Sequence, residues 1–261
     1  MSGLREPSTG GSSLGLEGRV ALVTGATRGL GLAIARKLCA CGSDVLLNYG
    51  HSDEDAERAI DALAPLKGTA TAVRGDLSDA RALPRILEEA GARYGRLDVL
   101  VHNAATWTRM GPAAADLAAL HRDVATALDP LLTAVPLLPE LMKAGGGRVI
   151  AISSTGAHRV VPGYLGLGVA KAALESLVRY LAVALSPYGI AANAVSTAKL
   201  DKGHTTGQAY RQARELARRT PAGRLTTPAD VADVVALLCT DEAAWLRGQV
   251  VTADGGLGLL P

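Results

Sequence analysis

Short apolar runs alternate along this chain with longer segments whose apolar positions recur every three to four residues. The short runs are typical of buried strands, and the longer segments are typical of helices that pack one face against a core. The alternation continues from Arg19 to the end of the chain, which predicts a single α/β domain with helices on both faces of a parallel sheet. The predicted strands are 19–23, 44–49, 69–74, 97–101, 148–153, 190–195 and 249–252.

Helices are predicted between these strands. Three prolines, Pro130, Pro136 and Pro139, fall in the helical region 113–143. Because proline lacks an N–H and clashes with the preceding turn, this region is expected to be kinked or broken. The other predicted helices are 30–41, 52–63 with Ser52 as its N-cap, 78–94, 164–185, 207–219 and 228–238.

A glycine-rich turn connects the first strand to the first helix. The sequence TGATRGLG at 24–31 follows an apolar run and opens a helical segment. Glycine permits positive φ and lets the backbone approach a pyrophosphate, while the N–H groups of a helix start attract the anion. Because strand and helix flank the turn, a dinucleotide site is favoured over an ordinary tight turn. The candidate cofactor-binding residues here are Gly25, Thr27, Arg28, Gly29, Leu30 and Gly31.

The residues after the second strand indicate which dinucleotide binds. An NAD-specific site usually places an acidic residue there to accept a hydrogen bond from the ribose 2′-hydroxyl. This chain instead has Asn48, Tyr49, His51 and Ser52. Arg28 in the glycine turn could pair with a 2′-phosphate, so the pattern favours NADPH. Arg28 as a solvated loop charge and Ser52 as a helix cap alone are the alternative interpretations.

Further strand ends carry candidate cofactor contacts. Asp76, followed by Leu77, lies just after the third strand and could accept from the adenine amino group; a turn-forming role in the loop is equally consistent with these residues. Small residues after the fourth strand would let the cofactor lie against the edge of the sheet. The remaining candidates are Asn103, Ala104 and Ala105 after the fourth strand, and Thr197 and Ala198 after the sixth.

Composition excludes several classes of function. The 261 residues are 48% hydrophobic, which suits one large core, and a net charge of +2 argues against nucleic acid or an anionic membrane as a partner. Cys39, Cys41 and Cys239 form neither a disulfide framework nor a zinc-ligand pattern. No apolar run reaches the ~18 residues of a membrane span, and the polar start lacks a signal-peptide core. We expect a cytoplasmic protein that binds small molecules, with a flexible tail at 1–15 and one domain at 16–261.

Several segments together resemble the short-chain dehydrogenase/reductase family. TGATRGLG at 24–31 is similar to that family's cofactor turn, GDL at 75–77 to its adenine contact and GQVVTADGG at 248–256 to its closing strand, while HNAA at 102–105 is an altered form of its NNAG. The resemblance covers about 16–256. It implies a Rossmann-type, doubly wound, mostly parallel seven-stranded sheet, a nicotinamide cofactor for hydride transfer, and often a homotetramer.

The family's catalytic pattern is incomplete in this chain. Members use a serine, a tyrosine and a lysine, the last two separated by three residues, with an asparagine on the preceding helix. Ser154 and Lys171 stand at matching positions, but Leu167 replaces the tyrosine, and no asparagine occurs between His121 and Pro130. The resemblance assigns Lys171 to the nicotinamide ribose and Ser154 to a substrate carbonyl. A surface charge on the helix and a cap at the strand end are the alternative interpretations.

Tyr164 is a third catalytic candidate. Six residues separate it from Lys171, a spacing that resembles the enoyl-thioester reductases of the same family. A second resemblance is to angucyclinone ketoreductases, because the lysine is retained, the tyrosine is lost and an arginine-rich helix lies in a predicted substrate lid at about 197–220.

Three functions are consistent with these patterns. The leading hypothesis is an NADPH-dependent ketoreductase of antibiotic-type biosynthesis that reduces a carbonyl of an aromatic polyketide, with the proton supplied by a phenol beside that carbonyl. Trp107 and the lid arginines could grip such a substrate, although the arginines could equally form a solvated face. The second hypothesis is an enoyl-thioester reductase that uses Tyr164 and Lys171. The third is a non-catalytic NADPH-binding protein. No metal site is predicted.

Overall fold

Seven strands form a single sheet. They are β1 (Val20–Val23), β2 (Asp44–Tyr49), β3 (Ala70–Arg74), β4 (Val99–His102), β5 (Arg148–Ser154), β6 (Ala191–Thr197) and β7 (Val250–Thr252). Their order is β3-β2-β1-β4-β5-β6-β7, and every neighbouring pair is parallel. The computed structural model describes residues 14–201, 203 and 206–259, so the tail predicted at 1–15 lies almost wholly outside the described residues. The doubly wound α/β fold expected from the sequence is confirmed.

Helices cover both faces of this sheet. The described residues form α1 (Gly29–Ala40), α2 (Asp53–Leu63), α3 (Ala82–Tyr94), α4 (Leu117–Ala134), α5 (Leu138–Leu141), α6 (Leu165–Leu185), α7 (Gly207–Arg219) and α8 (Pro228–Leu238). Leu87 of α3 and Leu174 of α6 are buried on one face, whereas Ile34 of α1 and Val235 of α8 are buried on the other. Full burial of one such side chain stabilises the fold by about 1.5–3 kcal/mol. None of the helices in the described part of the chain is long and apolar enough to span a bilayer.

The central strands are buried on both faces. All four residues of β1 and all seven residues of β6 are buried. A parallel sheet covered by helices on either side excludes water from both faces, which is why these strands appear in the sequence as continuous apolar runs rather than as alternating ones. The carboxyl ends of all seven strands therefore meet at one edge, where the loops that carry the candidate site residues begin.

Most predicted element boundaries agree with the structure within two residues. The helix predicted to begin at 78 instead begins at Ala82, because Asp79 forms a turn before it. The backbone N–H of Asp79 donates to Asp76, and the Asp79 carboxylate accepts from the N–H of Arg81 at 2.9 Å. These short-range bonds satisfy the backbone without a helical turn.

The proline-containing region is broken at one place and continuous at another. Pro130 lies inside α4, and the helix ends at Ala134, before Pro136 and Pro139. Pro130 cannot donate to the carbonyl of Thr126, but the ring of His102 bonds to carbonyls of this turn. A side chain from the sheet thus bonds to carbonyls beside Pro130, where α4 continues, and the helical region is broken after Ala134.

The segment predicted as a lid leaves the sheet after β6 and returns before α8. A parallel bridge pairs Leu200 with Thr226 at its base, where the N–H of Asp201 donates to the Thr226 carbonyl at 2.8 Å. The excursion contains α7, whose bounds agree with the predicted helix. Positions 202, 204 and 205 of the predicted lid lie outside the described residues.

Candidate active site

The glycine turn has a shape that only glycine allows. Gly25 and Gly29 have φ values of 60° and 56°, where a side chain is strained. A Cβ at Gly31 would lie 2.1 Å from the carbonyl oxygen of Gly25, so α1 and the turn approach each other more closely than any other residue permits. No side chain caps the start of α1. Its first N–H groups therefore suit an anion at this edge.

Thr24 and Asn103 hold this turn in place. The Thr24 hydroxyl oxygen accepts from the N–H of Asn103 at 2.9 Å and from that of Ala104 at 3.0 Å. The Asn103 side-chain amide donates to the carbonyls of Thr24 at 3.0 Å and Gly25 at 3.1 Å. Asn103 was predicted as a cofactor contact, but its amide nitrogen already serves the turn.

Asn48 and Ser52 also have structural roles. Asn48 is 1% exposed, and its side-chain amide donates to the Gly75 carbonyl at 2.9 Å. The Ser52 hydroxyl oxygen caps α2 by accepting from the N–H of Asp55 at 3.1 Å. The helix-cap interpretation of Ser52 therefore matches the observed bond, and its hydroxyl proton can still be donated to a ligand.

Asp76, His51 and Tyr49 form a polar rim beyond β2 and β3. One Asp76 oxygen accepts from the N–H of Ser78 at 3.0 Å, and the other lies 3.2 Å from Nε2 of His51. The bond from Ser78 is the main reason that the pKa of Asp76 is lowered. The Tyr49 hydroxyl donates to Asp53 at 2.8 Å, which raises the pKa of Tyr49. Asp76 forms a turn as one interpretation predicted, and its side chain stays 46% exposed for a ligand.

The remaining cofactor candidates divide between the surface and the core. Arg28 is exposed and immediately precedes α1, so its guanidinium can approach a ligand on the glycine turn. Leu77 is 7% exposed and packs in the core, while the Thr197 hydroxyl donates to the Ala253 carbonyl at 3.0 Å. The half-buried candidates are Thr27, Leu30, Ala104 and Ala198, and Ala105 is exposed.

Lys171 is a buried cation on α6. It is 4% exposed, and its Nζ donates to the Ile152 carbonyl of β5 at 2.6 Å. Burial lowers the pKa of Lys171 to about 8, while the negative charge of Glu175 acts in the opposite direction. The alternative of a solvated surface charge does not fit this burial, and a lysine that titrates near neutral pH is typical of functional sites.

Ser154 and Tyr164 are brought together, and Leu167 contributes only apolar surface beside Tyr164. Burial raises the pKa of Tyr164, and a hydrogen bond with Ser154 partly offsets this effect. The tyrosine ring lies on Gly156, where a Cβ would be 2.6 Å from the ring. Leu167 is 8% exposed and packs with Ala127 in a small apolar cluster, against which Tyr164 also packs. An apolar side chain therefore stands four residues before Lys171.

His102 is a buried site residue that the sequence analysis did not select. Its Nε2 lies 3.2 Å from the Ala127 carbonyl, and its Nδ1 lies 3.4 Å from the Thr24 hydroxyl. Burial and then the charge of Lys171 lower the pKa of His102 to about 4, so the ring is neutral near pH 7. The altered motif HNAA at 102–105 was the available signal. It marks the side chain that joins α4 to the glycine turn.

Asp123 is a second residue that the sequence analysis missed. It is 2% exposed, and one of its oxygens accepts from the Thr106 hydroxyl at 2.8 Å. The other oxygen has no hydrogen-bond partner among the described residues, and it faces Gly166, where a Cβ would be 2.5 Å away. Its charge raises the pKa of Tyr164. The available signal was one acidic position between two buried alanines, at 119 and 127, on the same face of α4.

A cavity of about 390 Å³ opens beside these groups, between the loop after β5 and the start of α6. Its lining is mostly apolar and includes Met110, Val161 and Tyr164. The ring of Trp107 lies 6.5 Å from that of Tyr164 and is tilted by 42°. A cavity of this volume is within the range of small-molecule sites. Aromatic and apolar surface therefore borders the Ser154–Tyr164 pair.

The residues present fit a nicotinamide dinucleotide. The turn at 24–31 forms a cradle that a Cβ at Gly31 would fill, and it stands where the strand order reverses at the carboxyl edge of the sheet. Doubly wound sheets bind nucleotides at this place. The turn would hold the pyrophosphate and Lys171 the nicotinamide ribose. No group of three or more His, Cys, Asp or Glu side chains in the described part of the chain could hold a metal ion.

Comparison with known proteins identifies the family of this chain. A family model described as "Enoyl-(Acyl carrier protein) reductase" matches residues 25–258. The chain belongs to the short-chain dehydrogenase/reductase family, and it is an oxidoreductase of the kind that uses NAD(P).

Several individual relatives are reductases by their descriptions. The chain is 34% identical to 1-cyclohexenylcarbonyl-CoA reductase of Streptomyces collinus over 248 residues, which cover 93% of this chain and 88% of the relative. It is 30% identical to a hydroxynaphthalene reductase of Aspergillus fumigatus over 261 residues, covering 95% of each chain. Among solved structures, LugOII matches with a TM-score of 0.85 and 31% identity, over 94% of this chain and 99% of that one. LugOII is described as a promiscuous reductase that catalyses keto-reduction at C1 during lugdunomycin biosynthesis.

Proposed function

We propose that this protein is an NADPH-dependent ketoreductase that reduces a carbonyl of an aromatic polyketide without the family's catalytic tyrosine. The single observation that carries the proposal is the buried Leu167 at the tyrosine's position, beside a retained Ser154 and Lys171. An enzyme that keeps its orienting groups but lacks the usual acid needs a substrate that carries its own. A phenol next to the ketone can donate that proton internally. In type, the proposed enzyme resembles the angucyclinone ketoreductase of the simocyclinone pathway.

The residues of this chain would orient and stabilise the reacting carbonyl. When bound, the nicotinamide cofactor supplies the hydride. Ser154 would donate a hydrogen bond to the carbonyl oxygen, whose developing negative charge Lys171 stabilises from inside α6. Lys171 can do this because it is enclosed: it is 4% exposed, and charges interact more strongly where water is excluded.

An aromatic substrate is supported by the surface beside Ser154. The cavity of about 390 Å³ has a mostly apolar lining, and the rings of Trp107 and Tyr164 border the same side of the site. Trp107 is 55% exposed, so a ligand in the site could contact its ring. By their descriptions, one relative is a hydroxynaphthalene reductase, and LugOII catalyses a keto-reduction during lugdunomycin biosynthesis.

NADPH rather than NADH is supported by the charges around the ribose site. Arg28 is exposed at the glycine turn, ready to pair with a 2′-phosphate. The strand end that carries an acidic residue in NAD-specific proteins has Asn48 here, whose amide is bonded within the protein. Comparison of the affinities for NADPH and NADH, in the wild type and in Arg28→Gln, tests this part. Loss of the preference in the variant is the expected result.

Enoyl-thioester reduction is the second candidate, and the position of Tyr164 favours it. The hydroxyl of Tyr164 is close enough to Ser154 for the serine to lower its pKa, so it lies where it could stabilise an enolate. The matching family model carries an enoyl-reductase description, and the Streptomyces relative reduces a CoA thioester by its name. In this alternative, Lys171 again holds the ribose, and Tyr164 becomes the essential hydroxyl.

A pair of ketones tests the leading proposal. NADPH oxidation is followed with a polycyclic aryl ketone that bears a free peri-phenol and with its methyl ether. If the substrate supplies the proton, the ether should react about 100-fold more slowly, the scale of a lost general acid. Leu167→Tyr should recover the ether's reduction, whereas Leu167→Phe adds similar bulk without a hydroxyl and should not. Equal rates for phenol and ether in the wild type would refute the substrate-supplied proton.

Tyr164→Phe separates the two candidates. The variant should retain ketone reduction if the substrate supplies the proton, because the hydroxyl of Tyr164 is then not required for chemistry. Loss of single-turnover hydride transfer to the phenolic ketone would remove the basis of the leading proposal. Oxidation of NADPH by a crotonyl thioester in the wild type, lost in Tyr164→Phe, would instead support the enoyl reductase.

A further inference from the structure

A second carboxylate, Glu175, is buried one helical turn beyond Lys171. It is 1% exposed and stands four residues after the lysine on α6, so both side chains lie on the same face of the helix. Its Oε1 accepts from the Ser153 hydroxyl at 2.5 Å. Its Oε2 lies 2.5 Å from Nε2 of His158, without the alignment of a hydrogen bond. The carboxylate is therefore enclosed by α6, the end of β5 and the loop that follows β5.

A carboxylate in such a place requires a compensating charge. Removal of an ion from water is unfavourable unless a partner and hydrogen bonds replace the water. The His158 side chain is 65% exposed, so solvent screens much of its interaction with Glu175. Lys171, in contrast, is buried and interacts with the charge of Glu175. Lys171 and Glu175 therefore lie enclosed on adjacent turns and interact through charge rather than through direct contact.

The other groups around this pair are few. From β4, the imidazole of His102 faces Lys171 and is neutral near pH 7 because its pKa is lowered to about 4. From β5, Ser153 faces Glu175, and the Ile152 carbonyl accepts from Lys171. From the loop after β5, His158 is the one basic side chain within ion-pair distance of Glu175 among the described residues. The charge of Lys171 thus depends on a single enclosed carboxylate.

We propose that Glu175 is a positioning residue for the reduction, keeping Lys171 in its cationic form and fixing the end of β5 that presents Ser154. The same carboxylate acts on the lysine through its charge and bonds the hydroxyl of Ser153, the neighbour of Ser154. The proposal rests on the proposed function, in which Lys171 and Ser154 act without a tyrosine. Because Leu167 contributes neither a proton nor a polar group, the charge on Lys171 carries more of the stabilisation of the reacting oxygen.

Glu175→Gln tests this role because it keeps the shape of the side chain and removes the charge. Glu175 raises the pKa of Lys171, so its neutralisation lowers that pKa, and the lysine loses its proton at a lower pH. The measurements are kcat and the NADPH dissociation constant as functions of pH. In the wild type, kcat should fall and the dissociation constant should rise as the pH rises through about 8, and this change is the alkaline limb of each pH profile. In Glu175→Gln, this alkaline limb should move down by about one pH unit or more, the usual effect of a close charge.

Matched variants separate charge from packing. Ser153→Ala removes the hydrogen bond but no charge, so the alkaline limb should stay in place. Glu175→Asp keeps the charge on a shorter side chain and should shift the limb down by less than Glu175→Gln does. His158→Gln should shift it little, because the histidine is mostly solvated.

An unmoved limb in folded Glu175→Gln would overturn the proposal, as would an equal shift in Ser153→Ala. If Glu175→Gln does not fold, Glu175→Asp decides: a small downward shift supports the role, and an unmoved or raised limb overturns it. NADPH titration requires no substrate, so it tests Glu175 independently of the proposed ketone reduction. A shifted binding limb together with no reduction of any aryl ketone would refute the proposed function and leave the electrostatic role of Glu175 intact.

Discussion

Replacement of Gly31 with alanine should disable the cofactor turn. A Cβ at this position would lie 2.1 Å from the Gly25 carbonyl oxygen, 2.7 Å from the Asn103 amide nitrogen and 2.9 Å from the Ala26 Cα. Two of these three atoms belong to the backbone and cannot rotate away. The turn and the start of α1 must therefore separate by ~1 Å to restore ordinary contact distances.

The size of the effect follows from this overlap. Extra atoms in a packed region typically cost about 1–3 kcal/mol, and backbone overlap belongs at the upper end. We expect the free energy of unfolding of Gly31→Ala to fall by about 3 kcal/mol. The displaced turn would no longer fit a pyrophosphate, so the NADPH affinity should fall at least 100-fold, equivalent to about 3 kcal/mol.

Two other glycines provide controls. Gly111 has a φ of −124°, and a Cβ there would have no atom within 4 Å, so Gly111→Ala should change neither stability nor affinity. Gly29 has equally open space but a φ of 56°, so Gly29→Ala should show strain of about 1–2 kcal/mol without overlap. Urea unfolding and fluorescence titration with NADPH provide the measurements. Wild-type NADPH affinity in Gly31→Ala would refute the role assigned to this turn.

Two further predictions concern stability. The unfolded chain protonates His102 below pH 6.5, while the folded protein does so only below about 4. The free energy of unfolding should therefore fall by about 3 kcal/mol in total as the pH falls through this interval. Urea midpoints across that range should depend less on pH in His102→Gln, and an unchanged slope would contradict the neutral buried ring. Thr227 and Asp230 form a capping box at the start of α8. Thr227→Ala should therefore lower the free energy of unfolding by about 1 kcal/mol and Tm by about 2–4 °C. Thr206→Ala should change neither, because no side chain caps the start of α7.

Local patterns in the sequence determined the fold to a large extent. The strands β1 and β6 are buried throughout, and their apolar runs predicted them without reference to any distant residue. The glycine turn could be predicted equally well from the sequence, because its requirements arise within eight residues. They are positive φ at Gly25 and Gly29 and a close approach at Gly31. The leucine at position 167, where the family resemblance predicts a tyrosine, was also visible in the sequence, since that expectation depends only on the spacing to Lys171.

Only the tertiary structure decided what the polar residues do. Asn48 and Asn103 were predicted as cofactor contacts, and the structure adds that their side-chain amides donate to backbone carbonyls of neighbouring loops. Asp123 and Glu175 looked like ordinary helix positions, but each is buried beside the site. Their partners, Thr106 and Ser153, lie 17 and 22 residues away along the chain.

The physical reason is the range of each interaction. Hydrophobic burial acts on a whole face of an element, so its period appears in the sequence and indicates which side turns inward. A hydrogen bond or an ion pair instead joins two particular atoms, and the residue that supplies the second atom is set by how distant elements pack. Pro130 shows the difference. The sequence predicted a missing donor in α4, and the structure alone revealed that His102, from another layer, bonds to carbonyls beside Pro130.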